Sequence, residues 1–236
     1  MSHVDHPLIR MLRGFEARVL GLALALADSP HARETVGRTE DSVRNSRALS
    51  VRVAAVRRVW FSTPVPLDAF LRPGNRIAIL PPQDLRRVLA ALALIRCRDS
   101  IRRCIDRDRR RALAFALGEQ TLKQMQDQPA AAAFGEPLPE DLDADALAQC
   151  GWRTMFEEGA CRNATLGNIV ELGLASVAGD QAWQRMRLAH GNRADAADEA
   201  RVDPSSQAGG NAGVSETSRF FSMAGDLFSE FQWLFG

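Results

Sequence analysis

The stretch Pro81-PQDLRRVLAALALIRCRDSIRRCIDRDRRRALAFAL-Gly118 decides the fold class. Leu85, Val88, Leu89, Leu92 and Ile95 return at three- and four-residue steps, the period of one helical face. Pro81-Pro82-Gln83-Asp84 is a start signal, because proline suits the first helical turn and an acidic residue there meets the positive end of the helix dipole. A second buried stripe, Ile101, Ile105, Leu113 and Leu117, ends at Gly118, a residue suited to the turn that closes a helix. Leu122 and Met125 continue it briefly.

Upstream, Pro7 opens a pattern of Leu8, Met11, Leu12, Phe15, Val19, Leu22 and Leu26 that predicts an amphipathic helix ending near Asp28. Residues 30–42 read as a loop. From about Ser42, Leu49, Val53, Val56 and Trp60 share the face of a second helix. Pro64, Pro66, Pro73 and Gly74 break the pattern, and Ile77-AIL reads either as a short extended piece or as a packed loop. Downstream, residues 128–140 form a Pro/Ala connector and a subdomain hinge. Helical spacing resumes with Leu142, Leu147, Cys150 and Met155, then Leu166, Ile169, Val170, Leu174 and Val177, and a short helix around Trp183 and Met186. Residues 191–217 have almost no large apolar side chain, too few to offset chain entropy, and read as a flexible linker. Phe220, Phe221, Ala224, Leu227, Phe228, Phe231, Leu234 and Phe235 then recur at helical intervals. No alternating strand set or repeat occurs. The expected fold is therefore all-α: an irregular multi-helix core over 1–190, the linker, and a flexibly tethered amphipathic helix over 218–236.

Composition narrows the function. The formal net charge of +1 gives no long-range attraction to nucleic acid or an anionic membrane. Lys123 is the only lysine, so 29 of the 30 basic residues are arginine. With many alanines and no tyrosine, this bias is that of a G+C-rich genome rather than of a phosphate-binding surface. The best apolar run, Val19–Ala27, is far short of the roughly 20 residues that span a bilayer, and no signal-peptide core is present. These features, with the reduced state expected of Cys97, Cys104, Cys150 and Cys161, predict a cytoplasmic protein.

Catalytic motifs are missing. There is no phosphate loop, no GxSxG elbow and no HExxH, and His3, His6, His31 and His190 lie in loops or at helix ends. No CxxC pair suggests zinc, so the cysteines read as small buried hydrophobes. No cofactor or metal is expected. The Asn163-Ala-Thr165 sequon carries no meaning for a cytoplasmic chain.

Two features point to protein contact. Asp84 to Arg111 contains ten arginines and four aspartates. They form either a solvated face with internal Asp–Arg pairs or a surface for an acidic partner. Aromatic side chains for base stacking are absent there except Phe115, which argues against single-stranded nucleic acid. Six of the fifteen aromatic residues crowd into the last seventeen positions. That load must be buried on the chain's own core or on a partner, and the sequence leaves both open. Removal of the chain beyond about residue 217 is expected to leave a folded core.

The central block, extended to Leu117-Gly118-Glu119, resembles that of the K-type accessory protein of bacterial type III secretion systems (SctK). Leu174-ASVAGDQAWQRMRLAH resembles a later segment of that family, and Leu227-FSEFQWLFG is similar to the ending of its plant-pathogen (Hrp) branch. The resemblance is weakest at residues 30–48 and 191–217. It implies a non-enzymatic adaptor at the inner-membrane base of the apparatus. Such an adaptor bridges the cytosolic domain of the inner-membrane ring protein to the pod, or C-ring, protein (SctQ). Arg102, Arg103, Arg107, Arg110, Phe228, Phe231, Trp233, Leu234 and Phe235 are the expected partner-contact residues, with no nucleic acid and no membrane insertion. The alternatives are a helical nucleic-acid-binding regulator using residues 84–111 and a chaperone-like binder of exported substrates.

Overall fold

A computed structural model of the chain describes residues 6–28, 42–127, 136–175 and 215–236, with residues 42–48 described by their backbone alone. The helices are α1 (Pro7–Ala27), α2 (Ser42–Trp60), α3 (Pro73–Arg76), α4 (Pro82–Ala93), α5 (Arg98–Arg103), α6 (Arg107–Leu117), α7 (Glu119–Asp127), α8 (Ala144–Glu157), α9 (Ala164–Leu174), α10 (Glu216–Leu227) and α11 (Gln232–Phe235). Short 3-10 turns join them at Leu67–Leu71, Ile77–Ile79, Ile95–Cys97 and Ser229–Phe231. No strand occurs among the described residues, and the chain is all-α. The helix expected around Trp183, residues 128–135 of the connector and residues 191–214 of the linker lie outside the described residues.

Polar side chains at the helix starts explain several boundaries. Asp106, Asp143 and Asn163 each accept two backbone N–H groups of the first turn, satisfying donors that have no partner inside the helix. The sequon asparagine is thus a helix cap, and its amide also donates to the Pro64 carbonyl at 2.9 Å. Asn168 donates to the Trp60 carbonyl at 2.7 Å, so α9 fixes the end of α2 through buried polar contacts. Ile77-AIL forms a 3-10 turn whose Ile77 and Ala78 are fully buried.

Helix α4 is the centre of the core. Leu85, Val88, Leu89, Ala90, Ala91 and Leu92 are each at most 1% exposed. Helix α8 crosses it so closely that a Cβ at Gly151 would fall inside the Leu89 carbonyl. Helices α6 and α9 complete the shell around α4. A smaller cluster of Ala23, Leu26, Ala27, Val56, Trp60 and Leu172 holds α1, α2 and α9 together.

Residues 215–236 belong to the same core. The amphipathic segment is two helices rather than one: Phe228 leaves helical geometry (φ −129°, ψ 78°), so the chain bends and buries both halves. Its start is Ser215, the cap of α10, so residues 215–217 join the helix rather than the linker. Phe220, Phe221, Leu227, Phe228, Leu234 and Phe235 are between 0% and 7% exposed. Phe221 packs on Phe235 with ring centroids 5.5 Å apart, and Arg10 of α1 stacks 4.0 Å from the Trp233 ring. Arg76 donates to the Phe70 carbonyl at 2.7 Å and to the Leu234 carbonyl at 2.6 Å. Burial lowers the Arg76 pKa from its ordinary value, and the two carbonyls compensate that desolvation. At the other end, the Glu158 carboxylate accepts the N–H groups of Glu216 and Thr217 at 3.1 and 2.8 Å. Burial alone raises the Glu158 pKa, but hydrogen bonds from Thr217 and Glu216 outweigh it and leave the carboxyl below the ordinary value.

Magnitudes decide what this segment is. Six large apolar side chains at about 1.5–3 kcal/mol each give roughly 9–18 kcal/mol, as an upper bound. A whole domain is stable by only about 5–15 kcal/mol. The segment is therefore a structural part of the core, and the expectation that the core folds without it changes. A chain cut before Ser215 is expected to lose its cooperative thermal transition; a sharp transition near the parent temperature would show that the core stands alone. Gly151→Val is expected to cost at least about 3 kcal/mol in urea denaturation, because the helices must separate. Glu158→Ala is expected to cost about 0.5–1 kcal/mol at neutral pH. Because the folded pKa of Glu158 is depressed, its contribution is present above the unfolded value and fades as pH falls through the folded one. Stability curves of parent and variant should therefore converge in acid, once the pH has fallen below the depressed folded pKa. Glu216 acts with the opposite sign, since burial holds its carboxyl above the ordinary value.

Candidate interaction surface

The nine predicted contact residues separate into two groups. Phe228, Leu234 and Phe235 are buried in the chain's own core, and Phe231 and Trp233 are half-buried against it. Arg102, Arg103, Arg107 and Arg110 are exposed on α5 and α6. The structure does not bring the two groups together on one face. The aromatic segment here lies on the chain's own core.

The ten arginines between Asp84 and Arg111 also divide. Five turn inward. Arg86 pairs with Asp145 at 2.9 Å and donates to the Leu174 carbonyl at 3.2 Å. Arg87 donates to the Leu117 carbonyl at 3.2 Å, pairs with Glu230 at 3.1 Å and lies over the Phe228 ring. Arg96 pairs with Glu216 at 2.7 Å and with Glu136 at 3.2 Å, and Glu216 is the main cause of its raised pKa. Arg98 reaches the Met223 sulfur at 4.0 Å. Arg109 donates to the carbonyls of Leu138 and Pro139 at 3.4 and 2.7 Å. Two of the expected Asp–Arg pairs within the stretch form, Asp84–Arg87 at 3.4 Å and Asp108–Arg111 at 3.8 Å; Asp106 is used as a cap, and Arg86, Arg96 and Arg109 bind backbone carbonyls or distant carboxylates.

The other five, Arg102, Arg103, Arg107, Arg110 and Arg111, point outward and form a ridge along α5 and α6. Ile105 stands on it, 92% exposed. This corrects its assignment to the buried stripe. Helix α5 stops at Arg103, Cys104 is extended (ψ 111°), and Asp106 starts a new helix, so the register resets and Ile105 is turned into solvent. The Asp106-Arg107-Asp108 pattern, an acidic cap before an acidic first turn, was the signal for that break. Phe115 of α6 is also 82% exposed. It borders a groove of about 630 Å³ between α6 and residues 140–144. Isolated exposed apolar residues are ordinary, but a large aromatic beside a groove and an isoleucine on an arginine ridge are the features of a contact surface.

Burial pushes the Cys97 thiol up to about 11 and the Cys161 thiol up to about 12, so neither forms a thiolate at neutral pH. Cys104 is half-buried and Cys150 exposed, which departs from the reading of all four as buried hydrophobes. Among the described residues no cluster of His, Cys, Asp and Glu could hold a metal ion, and no helix is long and apolar enough to cross a membrane.

A family model described as bacterial type III secretion protein (HrpB4) matches residues 9–202. No curated protein and no solved structure matches the chain. The matched region runs from α1 past α9 and includes the whole arginine ridge and the groove beside Phe115. It covers well over half of the 236 residues, and the chain therefore belongs to the HrpB4 family of bacterial type III secretion proteins.

Proposed function

We propose that the chain is a non-enzymatic adaptor of the type III secretion apparatus. In this reading it bridges the cytosolic domain of the inner-membrane ring protein to the pod protein, at the cytoplasmic base of the apparatus. The family supports the setting, and the lack of any catalytic constellation in the sequence supports a scaffold. The observation that carries the reading is the division of the arginines. Half of a dense basic stretch is used to hold the fold, while Arg102, Arg103, Arg107, Arg110 and Arg111 gather outside around an exposed Ile105. Arginine ridges with an apolar anchor suit protein contact, since guanidinium groups grip carboxylates in pairs of hydrogen bonds and lose little hydration on burial. A nucleic-acid role is less well supported, because Asp108 and the acidic residues Glu140 and Asp141 flank the ridge.

Co-purification with the pod protein and with the cytosolic ring domain tests the reading, and failure with both would sink it. Reversal of the ridge by Arg102→Glu, Arg103→Glu, Arg107→Glu and Arg110→Glu is expected to weaken one of the two complexes at least tenfold, about 1.4 kcal/mol. The melting temperature should stay near that of the parent, because all four side chains are exposed. The parent complex should also weaken with salt, as exposed charge pairs do.

A further inference from the structure

We propose that the groove beside Phe115 binds a partner segment in which an apolar side chain is flanked by arginine or lysine. This rests on the adaptor reading for its biological setting but not for its chemistry. Phe115 is held 82% exposed by a helix that buries Leu113, Ala116 and Leu117 on its other side. The groove it borders, of about 630 Å³, has Ala112 and Leu142 among its lining and suits one or two large side chains. Its polar lining is acidic on balance: Asp108, Glu140, Asp141 and Asp143 stand against Arg109 and Arg111, of which Arg111 is paired with Asp108 at 3.8 Å. Arg109 is further withdrawn, since its guanidinium is tied to the Leu138 and Pro139 carbonyls.

The same contacts make the groove pre-shaped. Arg109 pins residues 138–139 to α6. The Asp141 carboxylate accepts the Asp143 N–H at 2.8 Å, and Asp143 caps α8 by accepting the Asp145 and Ala146 N–H groups. A groove fixed before binding loses little conformational freedom when filled. Its acidic lining opposes the charge of the arginine ridge on the same helix. The two surfaces therefore select different chemistry: the ridge an acidic surface, the groove a basic and apolar segment. Two neighbouring surfaces of opposite sign, each with an exposed apolar residue, suit a bridge between unlike partners.

The test uses the full chain and two fluorescent helical peptides, one of leucine and arginine, the other with glutamate in place of arginine. Anisotropy titration should show binding of the arginine peptide that weakens with salt, and at least tenfold weaker binding of the glutamate peptide. Phe115→Ala should weaken the arginine peptide about tenfold, the usual loss of an aromatic anchor. Glu140→Lys with Asp141→Lys should abolish the preference, while Arg102→Glu with Arg110→Glu should leave it in place. Equal binding of the two peptides, or no effect of Phe115→Ala, would overturn the proposal. So would a fall in melting temperature or the loss of a dimer in Phe115→Ala, because the groove would then be filled by the chain itself or by a second copy. A chain that discriminates the peptides but fails to co-purify with ring and pod proteins would refute the adaptor reading and leave the groove standing. The reverse result would refute the groove alone.

Discussion

Everything in this molecule is arranged around the approach of α8 to the backbone of Leu89. A helix pair can come that close only where one side chain is a single hydrogen, and Gly151 provides it. The contact is what lets α4 be covered on nearly every side. Its leucines face α8 and α9, its arginines reach over their own stems to the neighbouring segments, and α6 folds back against it. Glycine inside a helix costs roughly 1 kcal/mol against alanine. Here that local loss is offset by the dispersion and burial of two interlocked helices. Once α4 is enclosed, the remaining elements have defined surfaces to lie on, including the strip that receives residues 215–236.

That strip explains the chemistry of the arginines better than any partner does. The aromatic segment brings backbone carbonyls and carboxylates to the edge of the core, and each needs a donor. Arg76, Arg87 and Arg96 supply them from three separate places in the chain. A guanidinium can stack on a ring while it donates to a carbonyl, so it serves as packing and as hydrogen-bond frame at once. A lysine could not replace it at these positions without leaving acceptors unmet.

Much of the fold was legible because helix formation and burial act through spacing. The stripe from Leu85 to Leu92, the Pro7 start, the Gly118 stop and the faces of α8 and α9 all follow from one periodicity. Other features were hidden for a physical reason. Ile105 looked buried because it continues the spacing of Ile101, and only the cap at Asp106 shows that the helix restarts. The bend at Phe228 has no glycine or proline to announce it; it is imposed by the surface beneath. The direction of each arginine was also out of reach. The ties that hold Arg96 depend on where Glu136 and Glu216 arrive, 40 and 120 positions further along the chain. Exposed Phe115 was visible as the one aromatic of its stretch, but its groove is made by residues 140–144, which periodicity does not place.

The bond between Arg76 and the Leu234 carbonyl joins residues 158 positions apart. Synthesis proceeds from the amino end, so α1 to α9 emerge well before their last packing partner does. Throughout that interval the strip lined by Phe70 and the α3 region is open to water, and an unfinished chain presents a sticky apolar face. Non-local closure of this kind is slow compared with the formation of the helices themselves. The core is thus closed only after residues 215–236 have been made and have folded back onto it.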